Sequence, residues 1–163
     1  MTQFEPAVLA LAQALRGAGL LLATAESCTG GWVAAACTAV AGSSDWFERG
    51  FVTYSNAAKV ESLGVAPGLI AVHGAVSEEV ARAMAEGALA HSRAQLALAV
   101  TGIAGPSGAT PGKPVGTVWL AVARSGGATR AEWLQLAGDR ASIREQTVGR
   151  ALQRLCERAA SGA

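Results

Sequence analysis

Lysine is nearly missing from this chain. Of 13 basic residues, 11 are arginine and only Lys59 and Lys113 are lysine. Tyr54 and Asn56 are the sole tyrosine and asparagine, and His73 and His91 the sole histidines. Charged residues amount to 15%, with a formal net charge of +1 and no block of Lys or Arg. That balance offers no field for nucleic acid or an anionic membrane, so neither is expected as a partner. No apolar run approaches the roughly 18 residues of a spanning helix. The start, Met1-Thr2-Gln3-Phe4-Glu5-Pro6, lacks the basic region of a signal peptide. Cys28, Cys37 and Cys156 show neither C-x-x-C nor metal-like spacing, which points to a reduced, cytoplasmic protein. Asp and Glu form no close ligand constellation either, so no metal and no cofactor are expected.

What is present is a chain of 163 residues, 51% of them hydrophobic, enough for one domain over 1–163 with a real core. Residues 5–17 carry Val8, Leu9, Leu11, Ala12 and Leu15 at helical spacing, with Gly17 and Gly19 as the stop. A strand is expected at 20–24 and a helix at 30–40. A second strand at 46–54 is rich in aromatic and β-branched residues, with Gly50 read as a bulge. Ser55 suits an N-cap for a helix at 56–63 ending at Gly64. Pro67-Gly68 reads as a turn. Ser77-Glu78-Glu79 opens a helix running to about His91, and 96–101 reads as a short buried strand. The stretch 102–114, dense in Gly and Pro, is a long loop of the kind that carries function. Strands at 115–123 and 128–136 flank Ser125-Gly126-Gly127 as a hairpin. A last helix at 139–157 places Arg144, Arg150, Arg154 and Arg158 on its polar side. This order predicts a layered α/β/α domain with a mixed parallel and antiparallel sheet.

The most informative stretch is Thr24-Ala25-Glu26-Ser27-Cys28-Thr29-Gly30-Gly31, at a strand-to-helix turn. Free N–H groups and the helix dipole there favour anions, and paired glycines allow close approach to the backbone. Ser27 is the first candidate nucleophile, but a serine hydroxyl needs a base. Neither His73 nor His91 sits in a supporting motif. Lys59 suits the role better, because a buried lysine can give up its proton whereas arginine cannot. The helix end at Gly30 and Gly31 is the expected source of its lowered pKa and of N–H donors for an oxyanion. Ser55 is a rival nucleophile, standing four residues before Lys59, and Cys28 another, since a helix N-terminus lowers a thiol pKa. Gly112-Lys113 fails as a P-loop: Ser107 stands where glycine is required and Pro114 where Ser or Thr is required.

Taken together, Ala25–Gly31, Gly42-Ser43-Ser44, Val52–Lys59, Gly74-Ala75-Val76-Ser77, Val100–Pro106, Lys113–Val118 and Gly138-Asp139-Arg140 resemble the CinA C-terminal domain family across nearly the whole chain. The resemblance implies a metal-free serine–lysine amidohydrolase that converts nicotinamide mononucleotide to nicotinic acid mononucleotide and ammonia, in pyridine-nucleotide salvage. Ser27 would be the nucleophile, Lys59 its general base, and Tyr54 a hydrogen-bonding assistant to the pair. Thr29, Gly30, Gly31, Ser44, Asn56, Thr101, Gly105 and Arg140 would surround this small-molecule substrate, with Arg140 facing the phosphate. Many relatives carry the domain behind a larger N-terminal one, so the chain resembles the stand-alone form. A homo-oligomer, in the first place a dimer, suits its apolar composition. The competing classes are a binding or regulatory module without turnover and an amidase for another small amide.

Overall fold

The computed structural model describes residues 2–161. Its elements are α1 (Glu5–Ala18), β1 (Leu22–Glu26), α2 (Trp32–Thr38), β2 (Phe47–Val52), α3 (Asn56–Leu63), α4 (Pro67–His73), α5 (Glu78–Ala90), β3 (Leu96–Gly102), β4 (Thr117–Arg124), β5 (Arg130–Gln135) and α6 (Arg140–Ala160). The five strands form one sheet in the order β2-β1-β3-β4-β5. β1 runs parallel to both β2 and β3, while β3-β4 and β4-β5 are antiparallel. This is the mixed α/β/α sandwich that the element order predicts.

Side chains alternate across the sheet, so each strand feeds two cores. Leu22, Leu96, Leu98 and Leu120 point to the face covered by α1, α2 and α6, where they meet Leu11, Leu15, Val33, Ile143 and Leu152. Ala23, Ala25, Ala97, Ala99 and Ala121 point to the other face, under Val80, Met84 and Ala85 of α5. Small residues on that side let α5 lie close to the sheet. At Gly87 a Cβ would come within 2.1 Å of the Leu63 carbonyl oxygen, so the α3–α5 contact requires glycine.

Several boundaries differ from the sequence reading for identifiable reasons. The first strand lies two residues later than expected, because Leu20 is taken up by the closure that follows α1. There Gly19, at φ 65°, donates to Arg16 O, and Leu20 N–H reaches back to Leu15 O. This paired C-terminal closure claims the start of the apolar run. The expected turn at Pro67-Gly68 is instead the first turn of α4. Proline is well suited to that position, since its missing N–H would have no helical partner. The irregularity in β2 lies at Glu48 and not at Gly50: Leu22 and Ala23 face Phe47 and Arg49, leaving Glu48 as the extra residue. Gly50 pairs regularly with Thr24, and a Cβ there would press on Ala34 of α2 at 3.2 Å. Arg158, expected on the polar side of α6, is 4% exposed and hence buried.

The connections out of β1 and β2 set up the site. From β1 the chain passes through α2, on one face, to β2 at the sheet edge. It then returns through α3, α4 and α5, on the other face, to β3. The helices therefore change faces around β1, which opens a crevice at the carboxyl ends of the parallel strands. Open α/β sheets bind ligands there.

Candidate active site

Ser27 is the first residue beyond β1, and its N–H donates to Val100 O at 3.0 Å, extending the β1–β3 pairing past the strand end. Gly30 and Gly31 then turn the chain into α2 with φ of 62° and 94°, a region that favours glycine. The N-terminus of α2 is capped from an unexpected direction. The Glu26 carboxylate, 1% exposed, accepts N–H bonds from Gly31, Val33 and Ala34 at 3.1, 3.0 and 2.9 Å. The N–H groups that the sequence reading assigned to an anion or oxyanion are therefore already taken. Local capping patterns place the acceptor at the N-cap itself, whereas this one reaches across five residues, so no local signal reveals it.

On the other side of the turn Arg144 of α6 donates through Nε to Cys28 O and through Nη2 to Thr29 O, each at 3.0 Å. Its guanidinium also stacks 5.3 Å from the Trp32 ring centre. The turn carrying Ser27 is thus clamped between a buried carboxylate and a guanidinium. Glu26→Ala would strand three buried or half-buried donors. Its expected cost is about 2–3 kcal/mol, or roughly 5–10 °C in Tm for a chain of this size. Thermal unfolding of the variant checks it, and an unchanged Tm would refute the capping role.

Lys59 approaches from α3. Ser55 caps that helix, its hydroxyl accepting the Ala58 N–H at 3.0 Å. That bond occupies the rival nucleophile in a structural task. Lys59, one turn later, points inward and is 1% exposed. Its Nζ lies 3.0 Å from Ser27 Oγ and donates to Thr53 O at 2.8 Å. Burial pushes its pKa below the ordinary lysine value, against a smaller opposing effect from Cys28. Burial, not the helix end, is the main cause. A neutral amine has two N–H bonds and one lone pair. With one N–H on Thr53 O, the lone pair is free to receive the Ser27 proton.

The pair opens into a cavity of about 220 Å³ at the carboxyl ends of β1 and β3. Ser27, Tyr54, Asn56, Lys59, Thr101, Gly105 and Arg140 all line it, brought together from six separate segments. Thr101 is buried and donates to Ala75 O at 2.8 Å, fixing the turn before α5 against the cavity. Tyr54 sits at the rim, 60% exposed, and its hydroxyl accepts from Arg140 Nη2 at 2.9 Å instead of bonding to the Ser27–Lys59 pair. Arg140 also donates to Gly105 O at 2.9 Å.

Four expected substrate contacts lie off the cavity wall. Thr29, Gly30 and Gly31 shape the turn behind Ser27 but do not line the cavity. Ser44 lies in the 3₁₀ turn Ser43–Asp45, three residues before β2, at the opposite end of the sheet. Cys28 does line it, yet burial raises its thiol pKa to about 11, so it is a neutral thiol and not an activated nucleophile. His91 caps α5 through Gly87 O, and His73 pairs with Glu79 at 3.4 Å; neither lines the cavity.

Residues 5–159 match the family model of the CinA C-terminal domain. The chain is 55% identical over 145 residues to nicotinamide-nucleotide amidohydrolase PncC of Escherichia coli, covering 88% of this chain and 87% of that protein. It is 52% identical over 147 residues to the protein of the same name from Pseudomonas putida, covering 90% and 91%. In three dimensions it superposes on the crystal structure of competence/damage inducible protein CihA from Agrobacterium tumefaciens with a TM-score of 0.92. That match has 44% identity and covers 94% of both chains.

Proposed function

This chain belongs to the CinA C-terminal domain family, and from that premise we propose that it hydrolyses the carboxamide of nicotinamide mononucleotide to nicotinic acid mononucleotide and ammonia. Identity of 52–55% to amidohydrolases of that name, over most of both chains, supports the reaction. The observation that carries the mechanism is the buried Lys59 Nζ at 3.0 Å from Ser27 Oγ.

Ser27 Oγ attacks the carboxamide carbon while its proton passes to Lys59. The tetrahedral intermediate then collapses, the C–N bond breaks, and the proton on Lys59 goes to the leaving nitrogen, which departs as ammonia. Water, deprotonated by the same amine, attacks the Ser27 ester. The ester bond breaks, Ser27 regains a proton from Lys59, and the carboxylate product leaves. General acid–base assistance of this kind contributes about 10²–10⁴-fold.

Glu26 occupies the N–H groups of α2, and the Ser27 N–H is spent on Val100 O. Cys28, Ala104 and Gly105 are therefore the oxyanion donors in this reading: all three line the cavity, the N–H groups of Ala104 and Gly105 have no acceptor among the described residues, and that of Cys28 meets only its own thiol. Arg140 faces the phosphate, while Asn56 and Tyr54 bound the rim. The small substrate and the free thiols suit a cytoplasmic enzyme of pyridine-nucleotide salvage. The reading extends to a homodimer, which light scattering would check.

The deciding experiment measures ammonia from nicotinamide mononucleotide alongside a panel of other small amides. Turnover of the nucleotide above the rest is the expected result. Thermal stabilisation by the nucleotide without ammonia would make the protein a binding module, and preference for another amide would overturn the substrate.

A further inference from the structure

Resting on the amidohydrolase reading, we infer that Arg144 is a positioning residue of the reaction: from behind the nucleophile turn it grips the carbonyls of Cys28 and Thr29, and so keeps the Ser27–Cys28 peptide with its N–H, and not its carbonyl, toward the oxyanion. Arg144 belongs to α6 and does not line the cavity. Its effect on the chemistry is carried by the backbone it holds.

The turn needs such a grip. Between β1 and α2 the chain runs through Ser27, Cys28, Thr29, Gly30 and Gly31, and both glycines are left-handed. Glycine leaves the backbone free to choose among conformations, so this segment does not fix its own peptide planes. The carbonyls of Ser27, Cys28 and Thr29 all stand in it, and one turned to the cavity would oppose a developing negative charge. Each is held by a donor instead. Ser27 O accepts the Gly30 N–H at 3.0 Å, and Thr29 O accepts the Trp32 N–H at 3.2 Å as well as Arg144 Nη2 at 3.0 Å. Cys28 O has Arg144 Nε, at 3.0 Å, as its one partner among the described residues. Ahead of it, the Ser27 N–H is fixed on Val100 O. The Ser27–Cys28 peptide is therefore braced from β3 on one side and from α6 on the other.

The side chain suits that task. Nε and Nη2 form one edge of a planar guanidinium, which holds two carbonyls in a fixed relation as a point-like ammonium cannot. The plane is steadied in turn by Trp32, whose ring centre lies 5.3 Å away, and Trp32 meets Phe4 edge-on at 6.0 Å. The charge also reaches the cavity wall. Burial dominates the raised pKa of the Cys28 thiol, and of the charges acting on that thiol Arg144 comes first, opposing the rise. A positive field at that place favours an oxyanion over the neutral carboxamide.

The test uses Arg144→Met, which keeps an unbranched stem, and Arg144→Lys, which also keeps the charge. Ser27 is labelled to completion with a fluorophosphonate, its Oγ–P bond forming as fluoride leaves, and ammonia release from nicotinamide mononucleotide is expressed per labelled site. A misplacement of about 1 Å can cost about 10²-fold, and a lost oxyanion donor about 10²–10³-fold. Arg144→Met should accordingly lower kcat per site about 100-fold while KM stays within about 3-fold of the parent, the signature of an interaction made in the transition state. Arg144→Lys should stay at least about 10-fold below the parent, because one ammonium does not replace the fork. The rate of labelling by the fluorophosphonate should fall in the same order, since its phosphoryl oxygen calls on the same donors. Should Arg144→Met fail to fold, Arg144→Lys decides alone. A kcat per site equal to the parent's in Arg144→Lys, or a loss carried by KM, overturns the proposal and leaves Arg144 a purely structural residue. Slower labelling of Ser27 in the variants of a parent that releases no ammonia would keep the positioning role and discard the amidase.

Discussion

Ser27→Ala is expected to lower the rate of ammonia release from nicotinamide mononucleotide by at least about 10⁴-fold, the scale on which covalent enzymes lose activity without their nucleophile. The substitution removes one oxygen and nothing that builds the turn. The Ser27 N–H bond to Val100, the Glu26 cap on α2, the Arg144 clamp and the Lys59 bond to Thr53 O all remain. Tm should therefore stay within a few degrees of the parent, so lost activity cannot be charged to unfolding. No neighbour can take over. Cys28 is the nearest alternative, and burial keeps its thiol protonated, with a pKa of about 11. Ser55 is bound to Ala58 N–H and lies off the cavity wall. Direct attack by water, with Lys59 as base, is the competing mechanism. It would leave Ser27→Ala with a large share of its activity, and turnover within 10-fold of the parent would decide for it. In the parent, acid quenching during turnover should trap a nicotinoyl-nucleotide ester on Ser27, visible by mass spectrometry of its peptide. The variant should show none.

How much of this could be read from the chain depends on whether the relevant physics is local. Helices α1, α5 and α6 follow from their hydrophobic periodicity, and the N-caps at Ser55, Ser77 and Asp139 from residue type. The hairpin of β4 and β5 follows from Ser125-Gly126-Gly127 between two apolar runs. Lys59 stands out because the chain otherwise uses arginine for nearly every positive charge. Its distance to Ser27, 32 positions away, is a property of the sheet order β2-β1-β3, which no local pattern encodes. The same limit explains the misses. Glu26 caps across a loop, Arg144 reaches the turn from 116 positions away, and α4 begins on a Pro-Gly pair that more often marks a turn. Ser44 follows a conspicuous glycine-serine motif, yet strand direction carries it to the far end of the sheet. Motif membership alone does not say at which end of a strand a residue falls.

Lys59→Met tests the other half of the pair, and its kcat should fall about 10³-fold, within the range general acid–base catalysis supplies. Methionine keeps an unbranched apolar stem in a buried site, so loss of the amine is the main change. Lys59→Arg is the sharper control. It restores a charge and donors for Thr53 O, but a guanidinium does not give up its proton at any working pH. Arginine should therefore rescue neither rate nor profile, and recovery of more than a tenth of the parent activity would refute the base. The pH dependence has a definite sign. Only neutral Lys59 can accept the Ser27 proton, so kcat/KM should rise with pH through a limb whose midpoint lies below the ordinary lysine value of 10.5. That limb should vanish in Lys59→Met, and its persistence would assign it to another group. Stability follows from the same shift. The unfolded chain keeps the Lys59 proton up to about 10.4, while the folded chain releases it earlier. Between those two pKa values the unfolded state binds more protons, so native stability gains as pH rises through that window. Below it both states are protonated, and the full cost of burying the ammonium remains. Lys59→Met has no such group and should lose this rise, so the difference in Tm between parent and variant must itself change with pH. A constant difference across the alkaline range would mean that the Lys59 pKa is the same folded and unfolded. A lysine left fully charged at neutral pH could not serve Ser27 as its base.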